Sequence, residues 1–423
     1  MQPWFIPMAY VSSAVVAGFA LPRIEQAYLS SYTIAVSVAS AQALLSAAAS
    51  GMMALTGIVF AMAFVMVQFS AIAYSPRLVL WFARDRTLFH ALGTFTATFV
   101  YALFTLAWVD RGASGSVPLF SVLLVGIMII FSMLAFSRLM QRLGDLQIGN
   151  VLHLVGDRGR AVIADMFQRL DAPPAAPRAS EAIAGRAQLG PVTQTVRYFG
   201  KPRTVARFDV DSLVAAARQA RGTIVMACAV GDTLVEGDVL LRVHDAGAPL
   251  PEEELVRAVR LGRERTFEQD PKYPIRLLVD IAIKALSPAI NDPTTAVQTI
   301  DQLEDLLRRL GSAELDAGDL ADADGALRLA FPTPTWEDYL TLSFDEIRHF
   351  GSSSVQVMRR MRSALVGLAD SLSSQDRVEA VRRYLEHLDR IIGALPFDVE
   401  DKSMARQEDR QGIGLSRRRI DTT

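Results

Sequence analysis

The sequence predicts an α-helical membrane domain of four spans, followed by an α+β region that lies in the cytoplasm. Three observations lead to this fold class. Apolar residues make up 51% of the 423 residues, and most of the excess precedes residue 140, whereas most of the charge follows it. Strand-like alternation begins near residue 193, and helical periodicity continues from Pro251 towards Leu395. A chain of this length is long enough for two or three domains.

Composition divides the chain into five segments, because charge, proline content and periodicity change at each boundary. We expect a transmembrane domain at residues 1–145, a connecting helix and Ala/Pro-rich linker at 146–192, a small β-rich module at 193–246, a helical cytoplasmic domain at 250–400, and a disordered basic tail at 401–423.

Four segments are long and apolar enough to cross a membrane, which takes roughly 20 mostly apolar residues. They lie at about residues 4–21, 51–73, 90–109 and 117–136. The first is expected to be an uncleaved helix that ends at Pro22, because it lacks a basic n-region and further spans follow. The Ala/Ser-rich residues 33–47 allow either another span or a helix at the membrane surface.

Loop charge favours four spans with both termini in the cytoplasm of a bacterial inner membrane. Five arginines lie in the loops that would face the cytoplasm, namely Arg77, Arg84, Arg86, Arg138 and Arg142. Only Arg23 and Arg111 lie in the opposite loops. With the N-terminus in the cytoplasm, a fifth span would place the C-terminal tail outside, so we expect residues 33–47 to lie at the membrane surface.

The predicted spans contain no Asp, Glu, Lys or Arg, which proton-coupled carriers and voltage sensors usually need there. Their small and hydroxyl side chains allow two interpretations. One is close helix packing, with each hydroxyl bonded back to its own helix. The other is a pore in a homo-oligomer. Gln68 is the best pore candidate, because an amide in lipid needs a partner. The candidate pore-lining residues are Thr56, Gln68, Ser70, Thr94 and Thr98.

Residues 193–246 combine strand-like segments with one helix. "TQTVRYF", "GTIVMACAV" and "DVLLRVH" have strand composition, and "DVDSLVAAARQA" predicts a helix with Asp211 or Ser212 as its N-cap. The glycines of "GDTLVEGD", Gly231 to Asp238, suit a tight reversal. This reversal resembles the structural turn of barrel-sandwich domains of the biotinyl and lipoyl type. No lysine stands at the hairpin tip, so we expect a barrel-sandwich-like scaffold without a swinging cofactor.

Helices dominate after Pro251, and the turn "SPAINDPTTA" lies between two of them. Asp292 is predicted to be an N-cap and Pro293 to occupy the first helical position. Capping does not account for Ser287 and Asn291, which leaves open a contact with a small anionic ligand or with a carboxylate of a partner subunit. The residues of this candidate contact turn are Lys284, Ser287, Asn291, Asp292 and Thr294.

The sequence contains none of the standard catalytic motifs, and we expect a protein that is not an enzyme. It has no Walker loop, "HExxH", "GxSxG" or "CxxC". Cys228 is its one cysteine and its five histidines lie far apart, so neither a metal site nor a cofactor is predicted. The net charge of −2 gives no sign of a nucleic-acid partner. We interpret the central carboxylates Glu264, Glu268, Asp270 and Asp280 as members of an ion-pair network.

The stretch "RERTFEQDPKYPIRLLVDIAIKALSPAINDPTTAVQTIDQL" is similar to the central signature of a bacterial membrane-protein family catalogued as domain of unknown function 2254. The segments "ALLSAAASGMMALTGIVFAMAFVMVQFSAIAYSPRLVLWFARDR" and "LGTFTATFVYAL" resemble the membrane region of that family. The resemblance covers about residues 1–400. It implies an inner-membrane protein with four spans and a cytoplasmic domain, and it implies no reaction.

Two functions from different classes are compatible with these features. An oligomeric ion channel or transporter with a cytoplasmic regulatory domain is the first, because hydroxyl-rich spans accompany a large cytoplasmic region and no enzyme motif. The alternative is a membrane-anchored sensor or scaffold that binds a cytosolic ligand or partner and has no catalytic activity. A membrane-associated enzyme of an unrecognised type is a third hypothesis.

Overall fold

The structure is a computed structural model that describes residues 4–28, 37–73, 86–109, 117–144, 147–167, 189–322, 324–409 and 413–414. The chain divides into two compact units, Met1–Asn150 and Val151–Thr423. Each unit has its own core, and each is described by itself below.

The first unit consists of four long helices, α1 (Phe5–Tyr28), α2 (Val38–Ala73), α3 (Arg86–Leu106) and α4 (Leu119–Gly144). All four are long and apolar enough to cross a membrane, which confirms the predicted number of spans among the described residues. Helix α3 contacts the other three helices. Its apolar stretch is 44% buried, against 17–22% for the others, so α3 is the central helix of this unit.

Helix α1 does not end at Pro22, as the sequence predicted, but continues to Tyr28. Its buried residues are Ala14, Gly18, Pro22 and Glu25, which lie on one face at helical spacing. Packing along this face therefore holds the helix together where the proline removes one backbone hydrogen bond. As a consequence Arg23 and Glu25 lie inside α1, and the expectation that no ionisable residue lies in a span is wrong for this helix.

The Ala/Ser-rich segment that was assigned to the membrane surface is part of α2 from Val38 onward, while residues 33–36 lie outside the described residues. The helix has 36 residues and is therefore roughly 54 Å long at about 1.5 Å per residue. Ala41, Leu45, Ala48 and Ala49 are buried in the helical core, where their small side chains let α2 approach α3 closely. The prediction of a separate helix at the membrane surface is wrong, because these alanines pack in the core as part of one continuous helix.

Glycines set the contact between α1 and α3. A Cβ atom at Gly18 would lie 2.6 Å from the Cβ atom of Phe104, and one at Gly93 would lie 2.9 Å from the ring of Tyr10. Neither helix can therefore carry a side chain at these positions without moving away from the other.

The described residues of the second unit form one mixed sheet of five strands and one antiparallel sheet of three strands, and no closed barrel. One has the strand order β1 (Val192–Arg197), β5 (Val239–His244), β3 (Thr223–Met226), β8 (Leu327–Ala330) and β7 (Asp319–Ala321). The other has the order β4 (Thr233–Leu234), β2 (Arg203–Phe208) and β6 (Val259–Gly262). Only β3 and β8 pair in parallel among these strands. Strand β2, which has six residues, was not predicted. Strands β6, β7 and β8 lie in the segment predicted to be helical, because strands of three or four residues show too little alternation.

The helices of the second unit begin with α5 (Ile148–Met166), most of which lies in this unit and which falls in the segment where a connecting helix was expected. The linker segment that follows lies outside the described residues. The others are α6 (Val210–Gln219), α7 (Glu252–Arg257), α8 (Lys272–Ala285), α9 (Pro293–Gly311), α10 (Trp336–Phe350), α11 (Val355–Ser371), α12 (Gln375–Ala394) and α13 (Val399–Ala405). Helix α8 packs on α9 and α10, and α11 packs on α9, α12 and α13. This bundle positions the family signature.

Two boundaries differ from the predictions because of capping. Asp209, rather than Asp211 or Ser212, is the N-cap of α6, and its carboxylate accepts from the backbone N–H of Ser212. Asp398 caps α13, which continues to Ala405. Residues 401–405 are therefore helical, and the predicted disordered tail does not begin at residue 401. The basic residues 417–419 lie outside the described residues.

Candidate functional site

The candidate pore-lining threonines all bond to their own helices. The hydroxyl groups of Thr56, Thr94 and Thr98 donate to the carbonyl oxygens of Met52, His90 and Thr94 at 2.8, 2.9 and 2.8 Å. Thr98 is fully buried in α3, where its hydroxyl also lies 3.1 Å from that of Ser132 in α4. These bonds satisfy the hydroxyls within one chain, as the packing interpretation requires.

Gln68 differs from the threonines, because its side chain is exposed on α2. The side chain of Ser70 lies outside the described residues. The candidate pore-lining residues belong to α2 and to the central helix α3, and whether any of them faces another copy of the chain stays a prediction.

In the turn between α8 and α9, local structure accounts for Ser287 and Asn291, the two residues that the predicted cap did not explain. The Ser287 hydroxyl donates to the carbonyl oxygen of Lys284 at 2.7 Å, which closes the end of α8. Asn291 has φ +50°, in the left-handed region that asparagine tolerates better than most residues. The backbone N–H of Asp292 then donates to the carbonyl of Ala285 at 2.8 Å. Thr294 is exposed. A ligand or subunit contact at this turn stays a prediction.

The predicted N-cap of α9 is confirmed. The Asp292 carboxylate accepts from the backbone N–H of Thr295 at 3.1 Å and from its hydroxyl at 2.5 Å, and Pro293 is the first helical residue. Thr295 is buried, so water cannot easily replace these bonds.

We expect Asp292→Ala to lower the free energy of unfolding of the second unit by about 1 kcal/mol, the usual cost of a lost cap. Denaturation of the full-length protein, followed by tryptophan fluorescence, measures the change. Thr294→Ala, at the exposed neighbouring position, is the control and should leave the stability unchanged. Loss of ligand binding or ion flux in Asp292→Ala at unchanged stability would contradict the structural role.

The signature loop, residues 263–270, joins β6 to α8 and is tied to β2 by one glutamine. The Gln269 side chain accepts from the backbone N–H of Phe208 at 2.9 Å and donates to its carbonyl oxygen at 3.2 Å. This reciprocal pair fixes the loop at the end of β2. Asp270 follows directly and lies just before the first turn of α8.

Asp270 and Arg265 form an ion pair inside this loop. Both Nε and Nη2 of Arg265 donate to Oδ2 of Asp270, at 2.7 and 2.6 Å. The Asp270 side chain is 1% exposed and that of Arg265 is 27% exposed. Burial raises the pKa of Asp270 above its ordinary value, while the charges of Arg265 and Lys272 oppose the shift. The backbone N–H of Lys272 is a further donor close to this carboxylate, and Oδ1 is buried without a hydrogen bond of its own among the described residues.

Gly231 of the "GDTLVEGD" reversal lies against this ion pair. It has φ +94°, and a Cβ atom there would lie 2.6 Å from Nη2 of Arg265 and 2.7 Å from Oδ2 of Asp270. Its backbone N–H donates to the carbonyl of Val205 at 2.8 Å. The reversal and the signature loop, which are separate features of the sequence, therefore meet at one buried contact. The glycine-rich turn pointed to a reversal, but nothing in the sequence pointed to its partner.

Tyr339 of α10 belongs to the same region. Its side chain is fully buried, and its hydroxyl forms no hydrogen bond to any described residue. Burial raises the pKa of Tyr339, and the negative charges of Asp270 and Asp338 raise it further. Sequence reasoning missed this residue, because a tyrosine in an amphipathic helix looks like any other core position. We name Arg265, Asp270 and Tyr339 the signature cluster.

The remaining central carboxylates support the ion-pair interpretation. Asp280 pairs with Arg276 at 2.6 Å, and Arg276 also binds Glu346. Glu268 pairs with Arg260 at 3.1 Å, whereas Glu264 is exposed. Within the described ranges no three His, Cys, Asp or Glu side chains are grouped to hold a metal ion.

Cys228 is unsuited to nucleophilic chemistry. Burial raises the pKa of its thiol to about 12, with a further contribution from the charges of Asp232 and Asp238. A thiol with such a pKa is almost entirely protonated at neutral pH, and the thiolate is the reactive form.

Comparison with known proteins relates this architecture to a family. The family model described as "Predicted membrane protein (DUF2254)" matches residues 2–366. Uncharacterised proteins of Mycobacterium tuberculosis strain H37Rv and of Mycobacterium bovis are each 28% identical to the chain over 364 residues, which cover 82% of this chain and 67% of the relative. No solved structure matches the chain.

Proposed function

Because the chain belongs to this family of predicted membrane proteins, we propose that it is a membrane-anchored sensor. Four helices hold it in the bacterial inner membrane, and residues 151–409 bind a small cytosolic ligand. The positive-inside bias of the loop arginines supports a cytoplasmic location for that unit and for both termini.

The observation that carries this proposal is the incomplete hydrogen bonding of the signature cluster. Buried polar groups in folded proteins are almost always paired, and a buried carboxylate oxygen without a donor is costly. Here Oδ1 of Asp270 and the hydroxyl of Tyr339 both lack a partner among the described residues. They occur in one electrostatically coupled region, and Asp270 belongs to the stretch that resembles the family's central signature.

The chemistry of the unpaired atoms indicates the class of ligand. Asp270 Oδ1 accepts hydrogen bonds only, and Tyr339 can donate as well as accept. The charge of Arg265 is already matched by Asp270, and the buried carboxylate of Asp270 would repel an added anion. A small polar molecule with N–H or O–H donors, either neutral or cationic, fits these requirements. Arg265 is the most exposed member, at 27%, so such a molecule would approach the cluster past its side chain.

The test measures small molecules that are retained by the full-length protein in lipid nanodiscs, by native mass spectrometry followed by identification of what is released. We expect a stoichiometric polar compound in the wild type, and its loss in Asp270→Asn and Tyr339→Phe. Glu264→Gln removes a charge from the exposed part of the same loop and should retain the compound. Equal retention in all four proteins, or no retained compound in the wild type, would overturn the proposal.

An oligomeric channel is the second candidate function, and exposed Gln68 favours it. An amide that faces lipid gains by bonding to an amide or backbone group of another helix. A Cβ atom added at Gly51 or Gly57 of the same helix would meet no other described element within 4 Å, so α2 offers an open surface for a second copy. Ion-flux measurements in liposomes test this function. Flux that Gln68→Leu abolishes would support a channel, and a monomer without flux for any ion would exclude it.

A further inference from the structure

Helix α5 follows the last membrane helix after residues 145–147, and most of it belongs to the second unit. One of its faces is buried, and Gly156 and Gly159 lie in the middle of that face. A Cβ atom at Gly156 would collide with Oε1 of Gln302, and one at Gly159 would lie 2.8 Å from both Cδ atoms of Leu306. The backbone of α5 therefore rests directly on α9, with no side chain of its own between them at these two positions.

Polar contacts fix the position of α5 along α9. Arg160 donates from Nη1 to Oδ2 of Asp305 at 2.7 Å and to Oε1 of Gln302 at 3.3 Å. Its Nη2 donates to Oδ1 of Asp157, one turn back in α5, at 2.7 Å. The Arg160 side chain is 25% exposed, so these charge-assisted bonds are partly shielded from water.

The same glycine face also meets the helix that follows the signature loop. A Cβ atom at Gly159 would lie 3.3 Å from Cβ of Pro274, in the first turn of α8. The residue before it, Tyr273, is buried, and the guanidinium of Arg265 lies 5.9 Å from the centroid of its ring. A continuous series of contacts thus runs from the signature cluster through Tyr273 and Pro274 to α5.

We propose that α5 carries the ligand state of the signature cluster towards the membrane helices, by being docked on α8 and α9 or displaced from them. This inference rests on the proposed function, which supplies the ligand. Because no side chain stands between Gly159 and Pro274, a shift of the first turn of α8 displaces the backbone of α5 and is not absorbed by a change of rotamer. Such coupling is reciprocal, so a disturbance of α5 must also act on the cluster.

Hydrogen exchange of the full-length protein in lipid nanodiscs tests the coupling without a ligand, so it gives a result whether or not the wild type retains a compound. Gly231→Ala disturbs the ion pair of the signature cluster. It should raise the exchange rates of α5, relative to those of α12, at least about fivefold, the lower end of the usual range for coupled sites. The last turn of α4 should change in the same direction. Gly237→Ala has the same backbone cost without the contact and should leave this ratio unchanged.

The reciprocal measurement starts from α5. Gly159→Ala places a Cβ atom against Leu306 and Pro274 and should raise the exchange of residues 265–272, again relative to α12. Gly149→Ala is the matched control in the same helix, because a Cβ atom there would meet no other described element within 4 Å.

The reference helix α12 packs mainly on α11, so its exchange reports global unfolding. The proposal is overturned if Gly231→Ala leaves α5 unchanged, or if it accelerates α5 and α12 equally. It is also overturned if Gly159→Ala and Gly149→Ala have the same effect on residues 265–272, or if the last turn of α4 does not respond when α5 does.

Discussion

Replacement of Glu25 by alanine is expected to lower the stability of the first unit by about 3 kcal/mol, since hydrogen bonds to a charged group contribute about 1.5–3 kcal/mol each. The side chain of Glu25 is 7% exposed and accepts three hydrogen bonds at the start of α4. The donors are the backbone N–H of Phe120 at 2.7 Å, the backbone N–H of Ser121 at 3.0 Å and the hydroxyl of Ser121 at 3.0 Å.

This contact is a helix cap supplied by a different helix. The first N–H groups of any helix have no partner within it, and its N-terminus favours negative charge. Val117 and Pro118 directly precede α4 and have no side-chain acceptor, so Glu25 of α1 provides it. The cap also joins α1 to α4 directly, so its loss weakens the contact between these two helices.

Thermal unfolding of the full-length protein in nanodiscs measures the effect. Glu25→Gln retains one acceptor oxygen and should lie between the wild type and Glu25→Ala. Arg23→Gln is a useful comparison, because it removes a charge two residues away and disturbs only the contacts of Arg23 with the rings of Phe19 and Trp108. An unchanged midpoint in Glu25→Ala would show that the buried carboxylate does not hold α4.

Gly231→Ala is expected to destabilise the second unit by about 3 kcal/mol, through two effects that can be separated. A non-glycine residue in the left-handed region costs about 1–2 kcal/mol. In addition, the new Cβ atom at 2.6 Å would displace Nη2 of Arg265 from Oδ2 of Asp270. Breaking a buried ion pair leaves an uncompensated charge and is strongly destabilising.

Gly237 provides a matched control in the same reversal. Its φ is +91°, close to the +94° of Gly231, but no atom lies within 4 Å of a Cβ atom placed there. The backbone N–H groups of both glycines donate to neighbouring backbone carbonyls at 2.8 Å. Gly237→Ala should therefore show the backbone cost alone, about 1 kcal/mol. The difference between the two variants measures the disturbance of the ion pair.

A double-mutant cycle with Asp270→Ala completes this test. In Asp270→Ala both the ion pair and the oxygen that lies 2.7 Å from the new Cβ atom are absent, so adding Gly231→Ala should cost little more than Gly237→Ala does. Chemical denaturation of the full-length variants gives all four free energies. Equal costs for Gly231→Ala and Gly237→Ala in the wild-type background would show that the reversal and the signature cluster are not coupled.

Long, regular elements were predicted well, and short or irregular ones were not. The four apolar helices and the cap at Asp292 follow from composition and from residues within four positions of one another. Strands β6, β7 and β8 have three or four residues each and depend on partners elsewhere in the chain. The continuation of α1 past Pro22 depends on the neighbours that bury this helix face, and a local rule for proline therefore predicted its end wrongly.

The candidate site divides in the same way. Asp270 and Arg265 are five residues apart, and an ion-pair network was predicted for the carboxylates of the signature, although their individual partners were not. Tyr339 and Gly231 lie in segments that the sequence relates to Asp270 in no visible way. Ser287 and Asn291, which suggested a ligand, have backbone explanations that only the φ angle and the hydrogen bonds reveal.

By itself the sequence determined that this protein has four helices suited to a membrane, a following α+β region and no standard catalytic motif, because these are properties of composition and of short-range spacing. Only the tertiary structure decided that Glu25 caps a helix that starts more than ninety residues later and that a glycine turn meets the family signature. Hydrogen bonds and steric contacts act over a few ångströms in space, so their partners at distant chain positions become known only when the chain is folded.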